Sequence, residues 1–210
     1  MTRLLFTAAA MFLATAGSAF AHHPMGGDVP ATMLHGLLSG IGHPVIGLDH
    51  LAFVIAVGLI AAFQKNRVMT PASFVLGTMF GTMLSVSALA MPLVELVIML
   101  SVVAAGVMVM RGKVAEMLPV MIVAGFIGLF HGWAYGQAVV GVETTPLVAY
   151  LAGIAIVQMV IALAAGFAMR EIWKAGSAAA MQPRLAGAVI AGVGLTYLVE
   201  AAESVIFPGV

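Results

Sequence analysis

Cysteine is absent from the 210 residues of this chain. Its absence excludes disulfides, thiolate nucleophiles, thiolate metal sites and iron–sulfur clusters held by cysteine. Charge is also scarce, because charged residues make up only 8% of the chain, against about a quarter of an ordinary soluble domain. The 8 basic and 8 acidic residues give a formal net charge of zero, so the chain lacks the excess of basic residues that is typical of nucleic-acid-binding proteins.

Apolar residues are correspondingly abundant, at 63% of the chain, and the mean hydropathy is +1.17. We therefore expect the lipid bilayer to be this protein's surroundings. A helix that crosses the hydrocarbon needs about 20 mainly apolar residues. Six stretches meet this requirement and predict an all-α membrane protein with six transmembrane helices, at approximately 44–63, 71–90, 93–110, 117–138, 146–168 and 185–206.

The first 21 residues are typical of a secretory signal peptide. Arg3 supplies the positive charge of the N-terminal region, and Ala19-Phe20-Ala21 fits a cleavage site after a short apolar stretch. An uncleaved signal anchor is the alternative. Cleavage would leave residues 22–43 as a periplasmic segment with a short helix, followed by the six-helix domain at 44–210. Three histidines of that segment are predicted to capture ions at an entrance: His22, His23 and His35.

Every basic residue beyond the signal lies in alternate connections between the predicted spans: Lys65, Arg67, Arg111, Lys113, Arg170, Lys174 and Arg184. The positive-inside rule places such connections in the cytoplasm. Six crossings then put the N-terminus and the C-terminus in the periplasm, which agrees with a cleaved signal. We expect a multi-pass protein of the inner membrane.

The opening of the first span carries two imidazoles and a carboxylate, from His43, Asp49 and His50. Ionisable groups in hydrocarbon cost roughly 2.5–3.5 kcal/mol each on insertion scales, so they indicate a functional site. Pro44 disfavours a helical conformation at His43, so the helix is predicted to begin at or after Pro44. His43 and His50 are two turns apart, and a break at Gly47 would turn all three side chains inward.

Two imidazoles and a carboxylate suit a borderline divalent ion such as Ni²⁺, Co²⁺, Zn²⁺ or Cu²⁺. Asp49 is predicted either to ligate the ion or to hold the second nitrogen of a ligating histidine. The structural alternative is that these groups only hydrogen-bond neighbouring helices.

A second motif lies in the fourth predicted span, where His131 is flanked by glycines. Gly128, Gly132 and Gly136 form a GxxxGxxxG ridge that lets a neighbouring helix approach closely. The ridge is predicted to bring His131 against the first span as a further metal ligand. The alternative is a packing ridge with a histidine that bonds Tyr135 or a carbonyl.

Two more polar side chains stand out in apolar surroundings. Glu95 opens the third span and is a candidate to complete a coordination sphere, or else a solvated acid at the membrane interface. Gln158 is the most deeply placed polar residue of the fifth span, and a hydrogen bond between helices is its expected role.

Taken together, these motifs resemble the HupE/UreJ family of small bacterial membrane proteins, which are regarded as nickel or cobalt permeases. The first motif matches that family at His43, Asp49 and His50, and Glu95 stands where the family tends to carry a glutamate. The second motif matches at Phe130-His131-Gly132 and then departs. The family pattern continues with a histidine and a glutamate where this chain has Tyr135 and Gln137.

The resemblance implies a secondary permease that imports Ni²⁺ or Co²⁺ from the periplasm, with no organic cofactor and no enzymatic activity. It also implies hydrogenase or urease maturation proteins as partners. The metal site would comprise His43, Asp49, His50 and His131, with Glu95 as a further ligand. Two rival functions stay open: an intramembrane zinc-dependent hydrolase, and a haem-binding bundle with two axial histidines.

Overall fold

The computed structural model describes residues 29–207, and every regular element within that range is helical. Seven α-helices follow one another: α1 Met33–Ile46, α2 Leu48–Ala61, α3 Met69–Val86, α4 Val94–Met110, α5 Met117–Gly136, α6 Thr144–Phe167 and α7 Met181–Ile206. A 3₁₀ turn, Gln137–Val139, follows α5, and a π-helical turn, Ala168–Ile172, extends α6. The all-α prediction is confirmed for these residues, while the predicted signal peptide lies outside them.

Helix α2 lies at the centre of the bundle. Ten of its 14 residues are buried, and all six other helices contact it. A helix that is apolar on nearly every side is stable in a protein core or against lipid, and α2 lies in the core. Its buried residues form the main core with side chains such as Phe74, Val102 and Ala162 from three neighbouring helices.

The surrounding helices form three closely packed pairs, α1 with α6, α3 with α5, and α4 with α7. Glycines make each close approach possible. A Cβ atom at Gly40 would collide with the Tyr150 backbone, and one at Gly132 would collide with the Thr78 backbone. Such small-residue contacts are the usual means of helix association in membranes, where lipid removes the hydrophobic drive for helices to meet.

The glycine ridge of α5 is a packing surface, as the sequence predicts, but its partner is α3. Gly128 approaches the Phe74 carbonyl, and Gly132 approaches the Thr78 carbonyl. The expectation that the ridge would bring His131 against the first span is therefore wrong. His131 nevertheless reaches α2, because its own side chain points from α5 into the core.

Within residues 29–207, four helical segments are long and apolar enough to cross a membrane: Met69–Val86, Met117–Val139, Thr144–Ile172 and Met181–Ile206. The α1–α2 pair would make a fifth span if it is counted as one broken crossing. The apolar helix α4 has 17 residues, which give it a length of about 25 Å, against a hydrocarbon core of about 30 Å. The protein is thus multi-pass, and six spans stay a prediction.

The outer faces of the bundle carry large apolar side chains. Leu76, Phe80, Phe126 and Val189 are each more than half exposed. Large apolar side chains exposed on several helices are the expected surface of a protein in contact with lipid tails, whereas large apolar patches are rare on soluble monomers.

The first predicted span is broken. Helices α1 and α2 meet at Gly47 and are bent by 82°. The predicted break at Gly47 is confirmed, and α2 does begin after Pro44. The expected extended conformation of His43 is wrong, because α1 continues through Pro44 to Ile46. The close packing of α1 on α6 outweighs the local preference that proline imposes on the residue before it.

The cationic connections meet at one end of the bundle, which we call the basic end and define by residues 62–68, 110–116 and 168–184. Arg170 donates to the Ala62 carbonyl at the end of α2, over 3.1 Å. Arg184 donates to the Met110 carbonyl at the end of α4, over 3.2 Å. Because α2 ends here, its first turn, with Asp49 and His50, lies toward the opposite end.

Candidate metal site

Five buried rings from four helices meet around the α1–α2 break. We call them the histidine cluster, which comprises His43 of α1, His50 of α2, His131 and Tyr135 of α5, and Tyr150 of α6. None of the five is more than 3% exposed. The structure therefore brings three of the six predicted histidines, His43, His50 and His131, into one buried group, although they lie up to 88 residues apart in the chain.

Tyr135 lies against two of the histidines. Its ring centroid is 5.0 Å from that of His43 and 4.6 Å from that of His50. The centroids of His43 and His50 are themselves 6.3 Å apart. Tyr135 is thus part of the cluster and packs on both imidazoles.

His43 is connected to α6 and then to α5. Its Nδ1 atom lies 2.8 Å from the Tyr150 hydroxyl, and that hydroxyl donates to the Tyr135 carbonyl, also over 2.8 Å. This chain of contacts ties the end of α1 to the end of α5, so the position of His43 depends on three helices.

His50 is connected to α5 and then to α4. Its Nδ1 atom lies 2.9 Å from Nδ1 of His131, and Nε2 of His131 lies 3.1 Å from the Ser101 hydroxyl. Ser101 in turn donates to the Ile98 carbonyl of its own helix over 2.6 Å. The alternative in which His131 bonds Tyr135 or a carbonyl is therefore not what the structure shows.

Aromatic rings close the cluster on the side of the core. The Phe53 centroid lies 4.6 Å from that of His131, and the Phe74 centroid lies 5.6 Å from it. These apolar contacts hold the His131 ring in place without using either of its nitrogens.

Gln158 lies beneath Tyr135 and joins three helices. Its amide donates to the Tyr135 hydroxyl over 3.2 Å, and its carbonyl accepts from Thr78 over 2.9 Å. Gln158 and Thr78 are fully buried. The predicted role of Gln158, a hydrogen bond between helices, is confirmed.

Asp49 is buried at 4% exposure in the first turn of α2. Its Oδ1 atom accepts from the backbone N–H of His50 over 2.8 Å. The first N–H groups of a helix have no partner within the helix, so this contact satisfies one of them. The predicted choice between a direct ligand and a supporting carboxylate stays open for Asp49.

Gly47 allows the imidazole of His50 to fold back over the break. A Cβ atom at this position would stand 2.8 Å from Cδ2 of His50 and 3.2 Å from Oδ1 of Asp49. The backbone of Gly47 has φ −73°, which any residue can adopt. Glycine is therefore required here for space and not for its conformational freedom.

The structure does not place the remaining predicted ligands in the cluster. Glu95 is exposed in the first turn of α4, and His35 is exposed in α1. His22 and His23 lie outside the described residues. Across residues 29–207, no three histidine, aspartate or glutamate side chains are assembled as a set that could hold an ion. The metal ligands thus stay a prediction.

Two members of the network were missed by the sequence reasoning, Ser101 and Tyr150. A usable signal existed in both helices. Ser101 is the single hydroxyl residue of α4, and Tyr150 is an aromatic hydroxyl inside an apolar stretch of α6. A lone polar group in such a stretch is a candidate for a hydrogen bond to another helix, and here both groups contact a histidine.

Comparison with known proteins agrees with the motifs. A family model described as HupE / UreJ protein matches residues 10–197. The chain is similar to a curated protein named Protein HupE, from Rhizobium leguminosarum bv. viciae, at 33% identity over 168 residues, which are 78% of this chain and 85% of that one. No solved structure matches the chain. The resemblance carried by the two motifs is confirmed, and the chain belongs to the HupE/UreJ family.

Proposed function

We propose that this protein is a secondary permease that imports a divalent transition metal, Ni²⁺ or Co²⁺, from the periplasm across the bacterial inner membrane. Membership of the HupE/UreJ family supports a metal permease. The single observation that carries the site is the burial of His43, His50 and His131 in one group at a helix break. Imidazole nitrogen suits these borderline ions, and no thiolate is needed.

A permease must bind its ion less tightly than a storage site does. The protein must replace enough of the ion's water to admit it, and then release the ion on the other side. Neutral imidazoles with a nearby carboxylate bind less tightly than a thiolate cage, so they favour exchange. The sequence has no G-x-x-x-x-G-K phosphate-binding motif. We propose that an ion gradient, the membrane potential or a partner protein supplies the energy.

The proposed orientation follows the positive-inside rule. The basic end would face the cytoplasm and the histidine cluster would lie toward the periplasm, reached past Glu95 and the histidines of the N-terminal segment. Six crossings after a cleaved signal would leave both termini outside. Family resemblance further suggests hydrogenase or urease maturation proteins as the recipients of the metal.

Uptake into proteoliposomes tests the proposal. We expect wild-type protein to take up Ni²⁺ or Co²⁺, and His50→Ala to lose at least about nine tenths of that uptake, because one imidazole and the contact with His131 disappear together. A matched control is Thr196→Ala, which removes an exposed hydroxyl that bonds only its own helix. Equal uptake by the wild type and His50→Ala would contradict the proposal that the histidine cluster is the metal site.

The same purified protein separates the rival functions. A zinc-dependent hydrolase would retain about one tightly bound zinc per chain, whereas a permease releases its ion to a mild chelator. A haem protein would show a Soret band in its absorption spectrum. We expect this protein to show neither tightly bound zinc nor a Soret band.

A further inference from the structure

We infer that Gln158 is a positioning residue of the candidate metal site, and that it acts through Tyr135 to set the separation of the His43 and His50 imidazoles. The inference rests on the proposed function, since it concerns how tightly the histidine cluster binds its ion. It goes beyond a hydrogen bond between helices, because it gives the buried amide of Gln158 a consequence for the ion.

Tyr135 contacts one histidine from each side of the helix break. His43 lies in the last turn of α1 and His50 in the first turn of α2, and the two helices are bent by 82°. The Tyr135 ring centroid lies 5.0 Å from that of His43 and 4.6 Å from that of His50, which are ordinary distances for packed rings. Both imidazoles thus lie against one ring, and the position of that ring helps to set the 6.3 Å between their centroids.

Helix α6 holds Tyr135 at both of its ends. The Tyr150 hydroxyl donates to the Tyr135 backbone carbonyl over 2.8 Å, and the Gln158 amide donates to the Tyr135 hydroxyl over 3.2 Å. Tyr150 and Gln158 are eight residues apart, so they lie on one face of α6, about 12 Å from each other along its axis. The contact with Tyr150 fixes the backbone, whereas the contact with Gln158 acts at the far end of the ring. Gln158 therefore controls the tilt of the ring.

Gln158 is itself held by α3. Its carbonyl accepts from the Thr78 hydroxyl over 2.9 Å, and Thr78, Gln158 and Tyr135 are all 0% exposed. The amide cannot turn without giving up a buried hydrogen bond at one end, which is unfavourable. A continuous series of contacts thus leads from Thr78 through Gln158 to Tyr135, and from the Tyr135 ring to the two imidazoles.

An apolar side chain at position 158 would be sufficient for packing. Hydrogen bonds between membrane helices add little net stability on average, and a buried amide requires matching partners. Gln158 has these partners on two other helices, and one of the two, Tyr135, is the residue that contacts both sides of the break. This arrangement favours a role in the geometry of the site over a role in holding the helices together.

Binding of Ni²⁺ alone to the purified full chain in lipid nanodiscs tests the inference. Gln158→Leu and Tyr135→Phe each remove the contact between the amide and the hydroxyl, so we expect each to weaken binding roughly tenfold. The double variant should bind about as weakly as either single variant, since all three lose the same contact. Wild-type affinity in Gln158→Leu, or a loss in the double variant equal to the product of the two single losses, would overturn the inference.

Two threonines of α3 provide a matched pair of variants. Thr78→Val removes the hydroxyl that holds Gln158, and we expect Ni²⁺ binding to weaken about fivefold, as for one buried hydrogen bond. Thr82→Val makes the same change one turn away, where an equally buried hydroxyl donates only to the carbonyls of Thr78 and Gly132. Its affinity should stay within about twofold of the wild type. Equal losses in the two variants would overturn the series of contacts.

NMR of the metal-free protein examines the Tyr135 ring directly. The chain has three tyrosines, so carbon-13 labelling of their rings gives few signals, and Tyr135→Phe identifies the signal of Tyr135. We expect this signal to shift, and the ring to flip faster, in Gln158→Leu, whereas Thr82→Val should resemble the wild type. An unchanged Tyr135 signal in Gln158→Leu would overturn the inference.

Uptake into proteoliposomes separates positioning from a general loss of folded protein. Misplaced imidazoles bind the ion less tightly, so in Gln158→Leu the half-saturating Ni²⁺ concentration should rise roughly tenfold while the maximal rate stays close to that of the wild type. Fewer folded molecules would lower the maximal rate and leave the half-saturating concentration unchanged. That second pattern would overturn the inference.

The inference and the proposed function can fail separately. If wild-type protein neither binds nor takes up Ni²⁺ or Co²⁺, the proposed function fails and the inference fails with it. If wild-type protein binds and transports the ion and Gln158→Leu does so with the same affinity, only the inference fails.

Discussion

The two ends of the bundle handle their polar groups in opposite ways. At the basic end, Arg170 and Arg184 donate to backbone carbonyls at the ends of α2 and α4, and Arg184 is exposed. At the other end, the imidazoles and hydroxyls of the histidine cluster are almost fully buried, and their contacts include the pairs His43–Tyr150 and His50–His131.

The difference shows what each set of polar groups does. The arginines satisfy carbonyls that every helix end leaves without an internal partner, and they do so next to water, where any similar side chain would serve. The histidine cluster depends on specific atoms, because each buried donor or acceptor must find a matching partner. Substitutions should therefore be tolerated at the basic end and should change function at the cluster.

Labelling of single cysteines gives the largest expected difference between the two ends. The chain has no cysteine, so Val114→Cys at the basic end and Val140→Cys at the opposite end each introduce one thiol at an exposed position. With a membrane-impermeant maleimide on spheroplasts, we expect Val140→Cys to react and Val114→Cys to react only after lysis. The reverse pattern would invert the proposed orientation.

A methyl group at the helix break should have the next largest effect. In Gly47→Ala the new Cβ would press on the His50 ring, which His131 holds from the other side. We expect metal uptake to fall at least about tenfold, in line with the loss caused by disturbing a ligand's support.

Gly176→Ala is the matched control for that change, because a Cβ at Gly176 meets nothing within 4 Å at the basic end. Its uptake should equal that of the wild type. Similar losses of uptake in both variants would mean that any Gly→Ala substitution impairs the protein, and that the position of Gly47 beside the cluster does not matter.

Removal of a cation should have the smallest effect. Arg184→Gln deletes an exposed contact with the Met110 carbonyl, so we expect the free energy of unfolding to change by about 0.5 kcal/mol and uptake to stay as in the wild type. Denaturation in detergent and the proteoliposome assay measure the two quantities. A marked loss of uptake would show that the two ends are coupled.

Composition and periodicity were sufficient to predict a helical membrane protein and a weak point at Gly47. They were insufficient to predict which helices pair. The glycine ridge of α5 is visible in the sequence, but nothing local indicates that it packs on α3, since any helix with small residues at the right spacing would fit. The helical conformation of His43 was missed for a related reason, because it depends on the packing of α1 against α6.

The site was predictable as a set of residues and not as a network. His43, His50 and His131 stand out because ionisable groups in apolar helices are rare. Ser101 and Tyr150 carry no charge and match no motif, so their importance appears only when the helices are assembled.

The break at Gly47 has an electrostatic consequence. A continuous helix would pass through the site with its dipole uninterrupted, whereas here one helix ends and another begins beside the imidazoles. The last carbonyls of α1, close to His43, carry partial negative charge and attract a cation, and the first N–H groups of α2 repel it. Asp49 lies in that first turn and offsets the repulsion, so both sides of the break become favourable to a positive ion.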